Sequence, residues 1–486
     1  MRMNIKKNVS SIIFHSIKGG RQNDLASELN KYITENAKST PYAIHYVRAS
    51  LGMSPIPESP LTQDEVEVAL FSKKSVRDPI VEVVPQICEK CTDDHVTVTD
   101  LCMSCSAHPC DHVCPVNAIK VFTDRSQKTA IDPNICIRCE ECMKVCPYSA
   151  IVHRYRPCKA ACGTEAITIG KDNRSYIEQS KCASCGLCTV ACPFGAIIHK
   201  SEIGNVIAKL AQHNDSRKIA AIVAPAFINQ FGTKHQPADV FAAIKKCGFD
   251  HVIEVAFGAD MDTVEIAEKL HQKKEGDYIG TSCCPSWLRT VRKHYPSQLK
   301  HIVPSFAPMV ETARALKQSD PEIDVVFVGP CVAKISETLE PKMSKYVEHA
   351  ITFEEMACIF DFLNVKIEKT NNKLNQASSY GRGYAVAGGV AEAVIKAAEK
   401  TYGMKNIKAE RADTLLKCRQ MLKKLESGEL KPDIVEGMGC LGGCIGGAGC
   451  IATPKKIKSK VLAFKKNATL SLEESIKQTY EDLCSK

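Results

Sequence analysis

Cysteine is crowded into one part of this chain: sixteen of its 26 cysteines fall between Cys88 and Cys192. Two runs, at residues 136–146 and 182–192, both read C-x2-C-x2-C-x3-C and are followed by proline. In this pattern three thiolates bind one [4Fe–4S] cubane and the fourth reaches a neighbouring cubane. Disulfides or structural cysteines rarely produce two such copies, so we predict a region that folds around iron–sulfur clusters.

The cysteine-rich region contains an internal repeat. Cys110-x3-Cys114 recurs 48 residues later as Cys158-x3-Cys162, and the two long runs are 46 residues apart. This period predicts a duplicated two-cluster unit, in which the fourth cysteine of one half serves the cluster of the other half. The four ligand sets are then Cys102, Cys105, Cys110 and Cys146; Cys114, Cys136, Cys139 and Cys142; Cys162, Cys182, Cys185 and Cys188; and Cys88, Cys91, Cys158 and Cys192.

The fourth set depends on Cys88 and Cys91, the remaining unused pair in this region. A C-x2-C pair of this kind could instead help to hold a zinc ion. A second alternative is a single two-cluster unit that exchanges Cys146 and Cys192, with the other eight cysteines bound differently. That arrangement gives at least two clusters, whereas the ligand count and the repeat favour four.

Charge and hydropathy exclude some partners. The formal net charge is +9, but each thiolate-bound cubane carries about −2, so five cubanes would bring the loaded protein close to neutral. We therefore expect no nucleic-acid partner. No stretch approaches the ~18 apolar residues of a membrane span, and the basic N-terminus lacks a secretory apolar region. We expect no membrane association and a cytoplasmic location, where thiols stay reduced.

Beyond the cysteine-rich region, apolar runs alternate with helical patterns. We predict strands at 219–223 and 324–328 and helices at 262–271 and 390–400. This alternation predicts an α/β domain with mixed, mostly parallel sheets flanked by helices, and the preceding region is expected to be an α+β ferredoxin-like multi-cluster domain. The expected N-terminal region, of unknown role and with a helix near 24–37, covers residues 1–85, and the multi-cluster domain covers 86–205. The α/β domain covers 215–460, and a C-terminal helical tail covers 461–486.

Three strings in the α/β region stand out: TSCCPSW at 281–287, GPCVAKISE at 329–337 and EGMGCLGGCIGG at 436–447. Together they offer four thiolates on three loops, which is the ligand set for one more cubane. Adjacent Cys283 and Cys284 cannot easily both bind one iron, so one of them is expected to remain a free thiol. Lys334, three residues after Cys331, would add a cation to the same site.

These strings resemble the signature motifs of the [FeFe]-hydrogenase catalytic domain, over roughly residues 215–460. The resemblance implies an H-cluster, in which a [4Fe–4S] cubane is bridged to a diiron subsite that carries CO, cyanide and an azadithiolate. It implies that four cysteines hold the cubane and that Cys444 also bridges to the diiron subsite. The four are Cys284, Cys331, Cys440 and Cys444.

The resemblance also implies roles for other residues of the pocket. Cys283 would pass protons to the bridgehead amine, Lys334 would donate a hydrogen bond to a cyanide, and Met438 would pack against the diiron subsite. Further pocket residues implied in this way are Ala224, Pro225, Ala226, Ser282, Pro330, Gly388 and Gly389.

Two carboxylates, Glu265 and Glu268, resemble the proton-relay carboxylates of the family. They lie one helical turn apart on one face of the predicted helix. Pairs of this kind are also common on solvated helix surfaces, so spacing alone leaves both interpretations open.

The chain departs from the usual motifs at several positions. Gly329 stands where the second motif normally begins with Met, and Met309 stands where well-studied members have Gln. The third motif ends in Ala448-Gly449-Cys450-Ile451 rather than Gly-Gly-Gly-Gln-Pro. The pattern therefore resembles a divergent branch of the family.

The function that the resemblance implies is reversible H2 oxidation and proton reduction. Electrons would pass through the accessory [4Fe–4S] clusters to a ferredoxin or a similar soluble carrier, and dedicated maturation proteins would install the diiron subsite. The chain is expected to be a monomer. The alternatives are an H2 sensor and a non-catalytic electron-transfer or scaffold protein, but the latter does not need Cys283, Lys334 and Met438.

Overall fold

The computed structural model describes residues 2–72, 76, 78–92, 94–122, 128–213 and 217–484. Among these residues, none of the helices combines the length and the apolar character that a membrane crossing requires.

The N-terminal region is a cluster of four helices. They are α1 (Arg2–Lys18), α2 (Leu25–Asn36), α3 (Ala43–Ser50) and α4 (Gln63–Phe71). Thr62 and Glu65 form a capping box that starts α4. Val9 and Ile13 of α1 are completely buried, whereas Asn8 and His15 are exposed, so one face of this helix packs into the core. The helix predicted near residues 24–37 is confirmed as α2.

The cysteine-rich region consists of short strands and single helical turns between long loops. Its elements are β1 (Val81–Val83), β2 (His95–Val98), α5 (Pro109–His112), β3 (Ile119–Lys120), β4 (Ala130–Ile131), α6 (Glu141–Val145), β5 (Ile151–Arg154), α7 (Pro157–Ala160), β6 (Ile167–Ile169), β7 (Ser175–Ile177), α8 (Leu187–Ala191) and β8 (Ile197–His199).

Strand pairing reveals that one unit of the cysteine repeat is inserted into the other. β2 pairs with β5 and encloses the β3–β4 hairpin, whereas β1 pairs with β8 and encloses the β6–β7 hairpin; all four pairs are antiparallel. Because β2 to β5 all lie between β1 and β6 in the chain, the first unit interrupts the second between Cys91 and Cys158. The repeat predicted two units, but it did not predict that they are nested.

The α/β domain contains most of the helices and both parallel sheets. Its elements are α9 (Ile203–Ala211), β9 (Ile219–Val223), α10 (Pro237–Lys246), β10 (His251–Glu254), α11 (Val255–Gln272), β11 (Ile279–Gly280), α12 (Pro285–His294), α13 (Pro308–Ser319), β12 (Asp324–Gly329), α14 (Val332–Glu337), β13 (His349–Thr352), α15 (Phe353–Phe362), α16 (Ser379–Gly383), α17 (Gly389–Tyr402), β14 (Ala409–Asp413), α18 (Leu415–Glu426), β15 (Ile434–Met438), α19 (Pro454–Lys466) and α20 (Leu472–Cys484).

The two parallel sheets confirm the predicted α/β fold class. One sheet has the order β10-β9-β12-β13 and the other has the order β11-β15-β14. β9 and β12 are buried along their whole length, as expected for central strands covered on both faces. Ala224 lies in the loop that follows β9. The three cysteine motifs lie in the loops that follow β11, β12 and β15. Such carboxyl ends are where sites gather in α/β folds.

The C-terminal helices belong to the α/β domain rather than forming a separate tail. The expected boundary between residues 460 and 461 lies inside α19. In α20, the Ser475 hydroxyl donates to Asp260 and the Thr479 hydroxyl donates to the carbonyl of Gln376. These buried hydrogen bonds attach the last helix to the core of the domain.

Candidate active site and iron–sulfur centres

A cavity lies beneath the loops that leave the parallel strands. It leaves about 80 Å³ within which the centre of a water-sized sphere can move. Its walls are predominantly apolar, and they include both predicted and unpredicted residues: Ala224, Pro225, Val255, Ala259, Cys283, Cys284, Pro285, Ser286, Pro308, Met309, Phe327, Pro330, Cys331, Lys334, Tyr384, Ala385, Met438, Gly439, Cys440, Gly443, Cys444 and Gly447.

The four cysteines predicted to hold a cubane all line this cavity. Cys284 directly precedes α12, Cys331 directly precedes α14, and Cys440 and Cys444 lie in the loop after β15. Burial raises the pKa of Cys331 to about 12, and the nearby Cys284 adds to this effect. A group of buried thiols disfavours its own ionisation unless a cation is present. A cluster of iron ions is such a cation, and four thiolates are the donor set of a cubane.

The loop that carries Cys440 and Cys444 approaches another loop too closely for a side chain. Gly443 has a φ of +96°, and a Cβ on it would lie 2.4 Å from the backbone nitrogen of Ala387. Glycine is therefore required there both by conformation and by space. This close packing fixes the loop of Cys444 against the segment that contributes Tyr384 and Ala385 to the cavity wall.

Cys283 and Lys334 meet at one side of the cavity. The Lys334 ammonium donates to the carbonyl of Cys283 at 3.3 Å and pairs with the Glu337 carboxylate at 2.6 Å. Although burial alone lowers the pKa of Lys334, Glu337 and the nearby thiols raise it above its ordinary value. Lys334 is therefore a buried cation at the cavity wall. Burial raises the pKa of the Cys283 thiol, and the adjacent Asp262 raises it further.

Four of the predicted pocket residues do not line the cavity: Ala226, Ser282, Gly388 and Gly389. Ala226 is buried in the turn after β9, and the Ser282 hydroxyl lies 2.9 Å from that of Ser305. The Gly388 N–H donates to Glu436 at 2.7 Å at the start of α17. These residues support the loops around the cavity instead of forming its wall.

The two predicted relay carboxylates have different surroundings. Glu268 is exposed and accepts a hydrogen bond from Gln272. Glu265 is half-buried, and its charge raises the pKa values of both Asp262 and Glu311. Neither glutamate lines the cavity.

Sequence reasoning missed several residues near the cavity, among them Tyr384 and Asp262. The Tyr384 hydroxyl lies 2.9 Å from the hydroxyl of Thr263, and Tyr384 belongs to none of the three strings. Asp262 is completely buried on α11, two residues after the equally buried Asp260. The signal that could have found it is an acidic residue on the same helical stripe as Ala259 and Ile266, both of which are buried.

Two of the four predicted ligand sets surround small cavities of their own in the inserted unit. One set lines a cavity beside Pro109 and Ile151, and the other lines a cavity beside Ala118 and Ile131. The sets are Cys102, Cys105, Cys110 and Cys146, and Cys114, Cys136, Cys139 and Cys142.

The other two sets lie side by side in the unit closed by β1 and β8. Burial raises the pKa of Cys188 well above its usual range, and nearby Cys185, Cys182, Cys162 and Cys158 raise it further. Burial also raises the pKa of Cys91, and Cys158 and Cys192 are again close enough to contribute. The insertion therefore separates Cys91 and Cys158 in the chain but not in space. Within the described residues, no three Cys, His, Asp or Glu side chains form a group that could hold a single metal ion.

The set with Cys185 adjoins the cysteines of the large cavity. Cys185 is close enough to Cys331 and Cys440 for their charges to interact. Gly186 faces Val332, and a Cβ on that glycine would lie 2.8 Å from the Val332 side chain. From α12, which begins just after Cys284, Arg289 donates to the Ser184 hydroxyl at 3.0 Å. These contacts join the two cysteine-bearing regions directly.

Comparison with known families covers both regions. Residues 217–448 match the C-terminal domain of the iron-only hydrogenase large subunit. Residues 101–150 match a 4Fe-4S dicluster domain and residues 175–198 match a 4Fe-4S binding domain. The first match contains all residues that line the cavity, and the other two contain twelve of the sixteen cysteines between Cys88 and Cys192.

Curated relatives include two hydrogenase proteins. Iron hydrogenase 1 of Clostridium pasteurianum is 25% identical over 388 residues, which cover 69% of this chain and 67% of the relative. The NADP-reducing hydrogenase subunit HndD of Solidesulfovibrio fructosivorans is 29% identical over 262 residues, which cover 43% of this chain and 44% of the relative. This chain thus spans less than half the length of HndD.

A solved structure of a variant of the [FeFe]-hydrogenase HydA1 from Chlamydomonas reinhardtii also aligns with the chain. The TM-score is 0.48 at 21% identity, and the alignment covers 58% of this chain and 94% of that one. The family match over the cavity, the two iron–sulfur matches and the curated relatives support a hydrogenase in general terms. Residues 217–448 are therefore identified as a domain of the iron-only, or [FeFe]-, hydrogenase type, and ferredoxin-like 4Fe-4S domains precede it in the chain.

Proposed function

We propose that this protein interconverts H2 with protons and electrons at an H-cluster bound in the large cavity. The single observation that carries this proposal is the group of four thiols on the cavity wall, with Cys283 and Lys334 on the same wall. Cys284, Cys331, Cys440 and Cys444 would hold the cubane, and the apolar walls leave room for the diiron subsite. When bound, this cofactor supplies the redox-active iron at which the H–H bond is broken or formed.

The residues around the cavity have distinct roles in this proposal. The Cys283 thiol would accept or deliver a proton at the cavity wall, since thiols exchange protons readily. The buried Lys334 ammonium, held by Glu337, would donate a hydrogen bond to an anionic ligand of the cofactor. Met438 and the apolar wall would exclude water, which strengthens these interactions.

The accessory cysteines would bind four [4Fe–4S] clusters. The proximity of Cys91 to Cys158 and Cys192 supports the fourth of them, which rests on the least regular spacing. The contact between the Cys185 loop and Cys331 supports electron transfer between the third cluster and the H-cluster. The inserted unit would exchange electrons with a ferredoxin-type soluble carrier. We further propose a cytoplasmic monomer that depends on maturation proteins for its diiron subsite.

Infrared spectroscopy of anaerobically matured protein tests the proposal. The expected result is a set of CO and cyanide stretching bands that shift when H2 is added, together with H2 turnover. Iron and sulfide analysis of the same sample counts the cubanes. If several cubanes are present but the CO and cyanide bands are absent, the protein is an electron carrier or scaffold instead. Bands that respond to H2 without appreciable turnover would indicate a sensor.

A further inference from the structure

Asp262 on α11 is a buried carboxylate without a hydrogen-bond partner among the described residues. It is completely inaccessible to solvent, and both of its carboxylate oxygens are unpaired. Asp260 on the same helix is different, because it accepts hydrogen bonds from Ser378, Gly381 and Ser475. Burying an unpaired carboxylate costs stability. Asp260 therefore has a structural explanation, whereas Asp262 has only a loose contact with the Ser305 hydroxyl.

The charged and titratable groups around Asp262 fall into two sets, one towards the cavity and one towards the contact between α11 and α13. On the cavity side, its charge interacts with those of Cys283, Tyr384 and the Lys334 ammonium. On the outer side, its charge interacts with those of Glu265 of its own helix and Glu311 of α13. The Ser305 hydroxyl lies beside the carboxylate and shares a hydrogen bond with Ser282.

The outer side leads to solvent. Glu311 is buried and pairs with Arg314 at 2.8 Å, and the Arg314 side chain is about one-third exposed. Arg314 also lies over the ring of Phe306, with 4.9 Å between its guanidinium carbon and the ring centroid. Glu311, Arg314 and the half-buried Glu265 therefore connect the surroundings of Asp262 to the surface at the contact between α11 and α13.

We propose that Asp262 is the proton-relay residue between the Cys283 thiol and the surface carboxylates, an inference that rests on the proposed function. In the direction of H2 oxidation, the S–H bond of Cys283 breaks as an O–H bond forms on Asp262. The thiolate regains a proton released in the cavity, and Asp262 passes its proton to Glu265 or Glu311. Proton reduction reverses these steps. No electron moves in them.

The protonation behaviour of Asp262 suits this role. Burial raises its pKa from 3.8 to about 7, the Ser305 hydroxyl counteracts part of that shift, and the nearby Glu265 and Glu311 add to it. A relay group works best when its pKa is near the operating pH, since it then gains and loses a proton with similar ease. Glu268, which is exposed and bonded to Gln272, has no comparable environment.

The first test uses protein that carries its [4Fe–4S] clusters but has not received the diiron subsite. Infrared pH titration should reveal the carbonyl band of a protonated carboxyl group that disappears as the pH rises through about 7. Asp262→Asn should remove this band, and Asp260→Asn should leave it in place. The proposal is overturned if no band that titrates between pH 6 and 8 depends on Asp262.

The second test uses matured protein. Asp262→Asn should keep the CO and cyanide bands and lose about 10²-fold in turnover in both directions, the usual effect of removing a proton-transfer group. Asp262→Glu should restore part of this activity and change the pH profile. Visible absorption of the clusters verifies that each variant is folded. If Asp262→Asn does not fold, the wild-type infrared titration and the activity of Asp262→Glu still test whether Asp262 relays protons.

The two proposals fail in different ways. If matured wild-type protein has no CO and cyanide bands, the proposed function is wrong, and Asp262 has no hydrogenase reaction to serve. If the bands are present and Asp262→Asn turns over like the wild type, only the role of Asp262 is overturned.

Discussion

Cys283 and Cys284 are adjacent in the chain, but their thiols have different neighbours. The Cys284 sulfur accepts the N–H of Gly439 at 3.4 Å, at the base of the loop that leads to Cys440. Cys283 instead interacts electrostatically with Asp262, which raises the pKa of its thiol. On this difference we propose Cys284 as the ligand and Cys283 as the proton carrier.

Replacing Cys283 tests that division of roles. Cys283→Ala should retain the CO and cyanide bands of matured protein and lose at least about 10²-fold in H2 turnover, because the proton-transfer group at the cavity wall is gone. Cys247→Ala is a matched control, since Cys247 is also buried but hydrogen-bonds within α10 and its loop. Near-normal H2 production by Cys283→Ala would contradict the assignment.

The buried Asp262 also predicts how stability depends on pH. In the unfolded chain this carboxyl has its ordinary pKa of 3.8, whereas burial in the folded protein raises its pKa to about 7. Between these values unfolding releases a proton, so the contribution of Asp262 becomes less favourable as the pH rises, and it is constant above about pH 7. The change is about tenfold in the unfolding equilibrium for each pH unit.

Asp262→Asn has no proton to lose, so its stability relative to the wild type should increase between pH 5 and 7 and then level off. Anaerobic thermal unfolding of protein that lacks the diiron subsite measures this difference by circular dichroism. A difference that does not change with pH would show that Asp262 ionises normally in the folded protein.

Helix α1 attaches the N-terminal region, for which the sequence predicted no role, to the rest of the protein. Its Lys6 pairs with Glu355 of α15 and lies 3.3 Å from His199 of β8, so one side chain joins three regions. Glu355 also accepts the Ser201 hydroxyl at 2.6 Å and caps α15 with Thr352. Although burial alone raises the pKa of Glu355, Lys6 and His199 hold it well below its usual range.

Removing the buried cation should therefore be costly. Lys6→Met should destabilise the protein by about 3 kcal/mol, because it leaves the Glu355 carboxylate buried without its countercharge. Lys7→Met is the matched control: Lys7 pairs with Asp361 at 3.8 Å in a largely exposed position, and such pairs contribute below about 1 kcal/mol. Anaerobic urea denaturation measures both variants. Equal urea midpoints for Lys6→Met and Lys7→Met would show that Lys6 does not stabilise the buried Glu355 carboxylate. The double variant Lys6→Met/Glu355→Gln should recover much of the lost stability, because no buried charge is left.

Elements differed in how well the sequence predicted them. β9 and β12 were predicted nearly to the residue because each is a continuous apolar run that ends at proline or glycine. The strands around the clusters, such as β3 with two residues, are too short for periodicity to reveal. The contact of Lys6 with Glu355 joins residues 349 positions apart, and no local pattern in the sequence indicates it.

The candidate site was predicted better than its surroundings. The cysteine motifs identified Cys284, Cys331, Cys440 and Cys444, and the structure brings all four to one cavity. Asp262 was missed because a single acidic residue in a helical pattern reads as a solvated position. Only tertiary packing shows that α13 covers it.

At the scale of the whole molecule, the nesting of one cysteine-rich unit inside the other organises the cysteine sets. The inserted unit has a core of its own, formed by residues between Val96 and Ile151. Exposed apolar side chains such as Leu101, Met103 and Ile137 lie on it. The enclosing unit instead packs its Cys185 loop against the hydrogenase domain. The proposed electron path therefore runs from a self-contained outer unit, through the enclosing unit, to the cavity.

This arrangement predicts that the inserted unit can be removed. His95 and Arg154 are directly opposed in the β2–β5 ladder, and opposed residues in such ladders have Cα atoms about 5 Å apart. A short Asn-Gly turn can therefore replace residues 95–154 without moving Cys91 away from Cys158. The shortened protein should lose two cubanes, or about eight iron atoms, and keep the other two with the H-cluster.

Because the retained Cys185 set adjoins the catalytic cysteines, the shortened protein should still turn over H2 with a small dye as electron carrier. Its turnover with a ferredoxin should fall, since the outer unit would form the docking surface. Full-length Cys139→Ser is the matched control, because it disturbs only one cubane of the inserted unit. Iron and sulfide analysis, CO and cyanide bands and dye-linked assays measure these outcomes. Loss of the Cys88, Cys91, Cys158 and Cys192 cluster on excision would contradict nesting, because the insertion would then be needed to assemble the unit that encloses it.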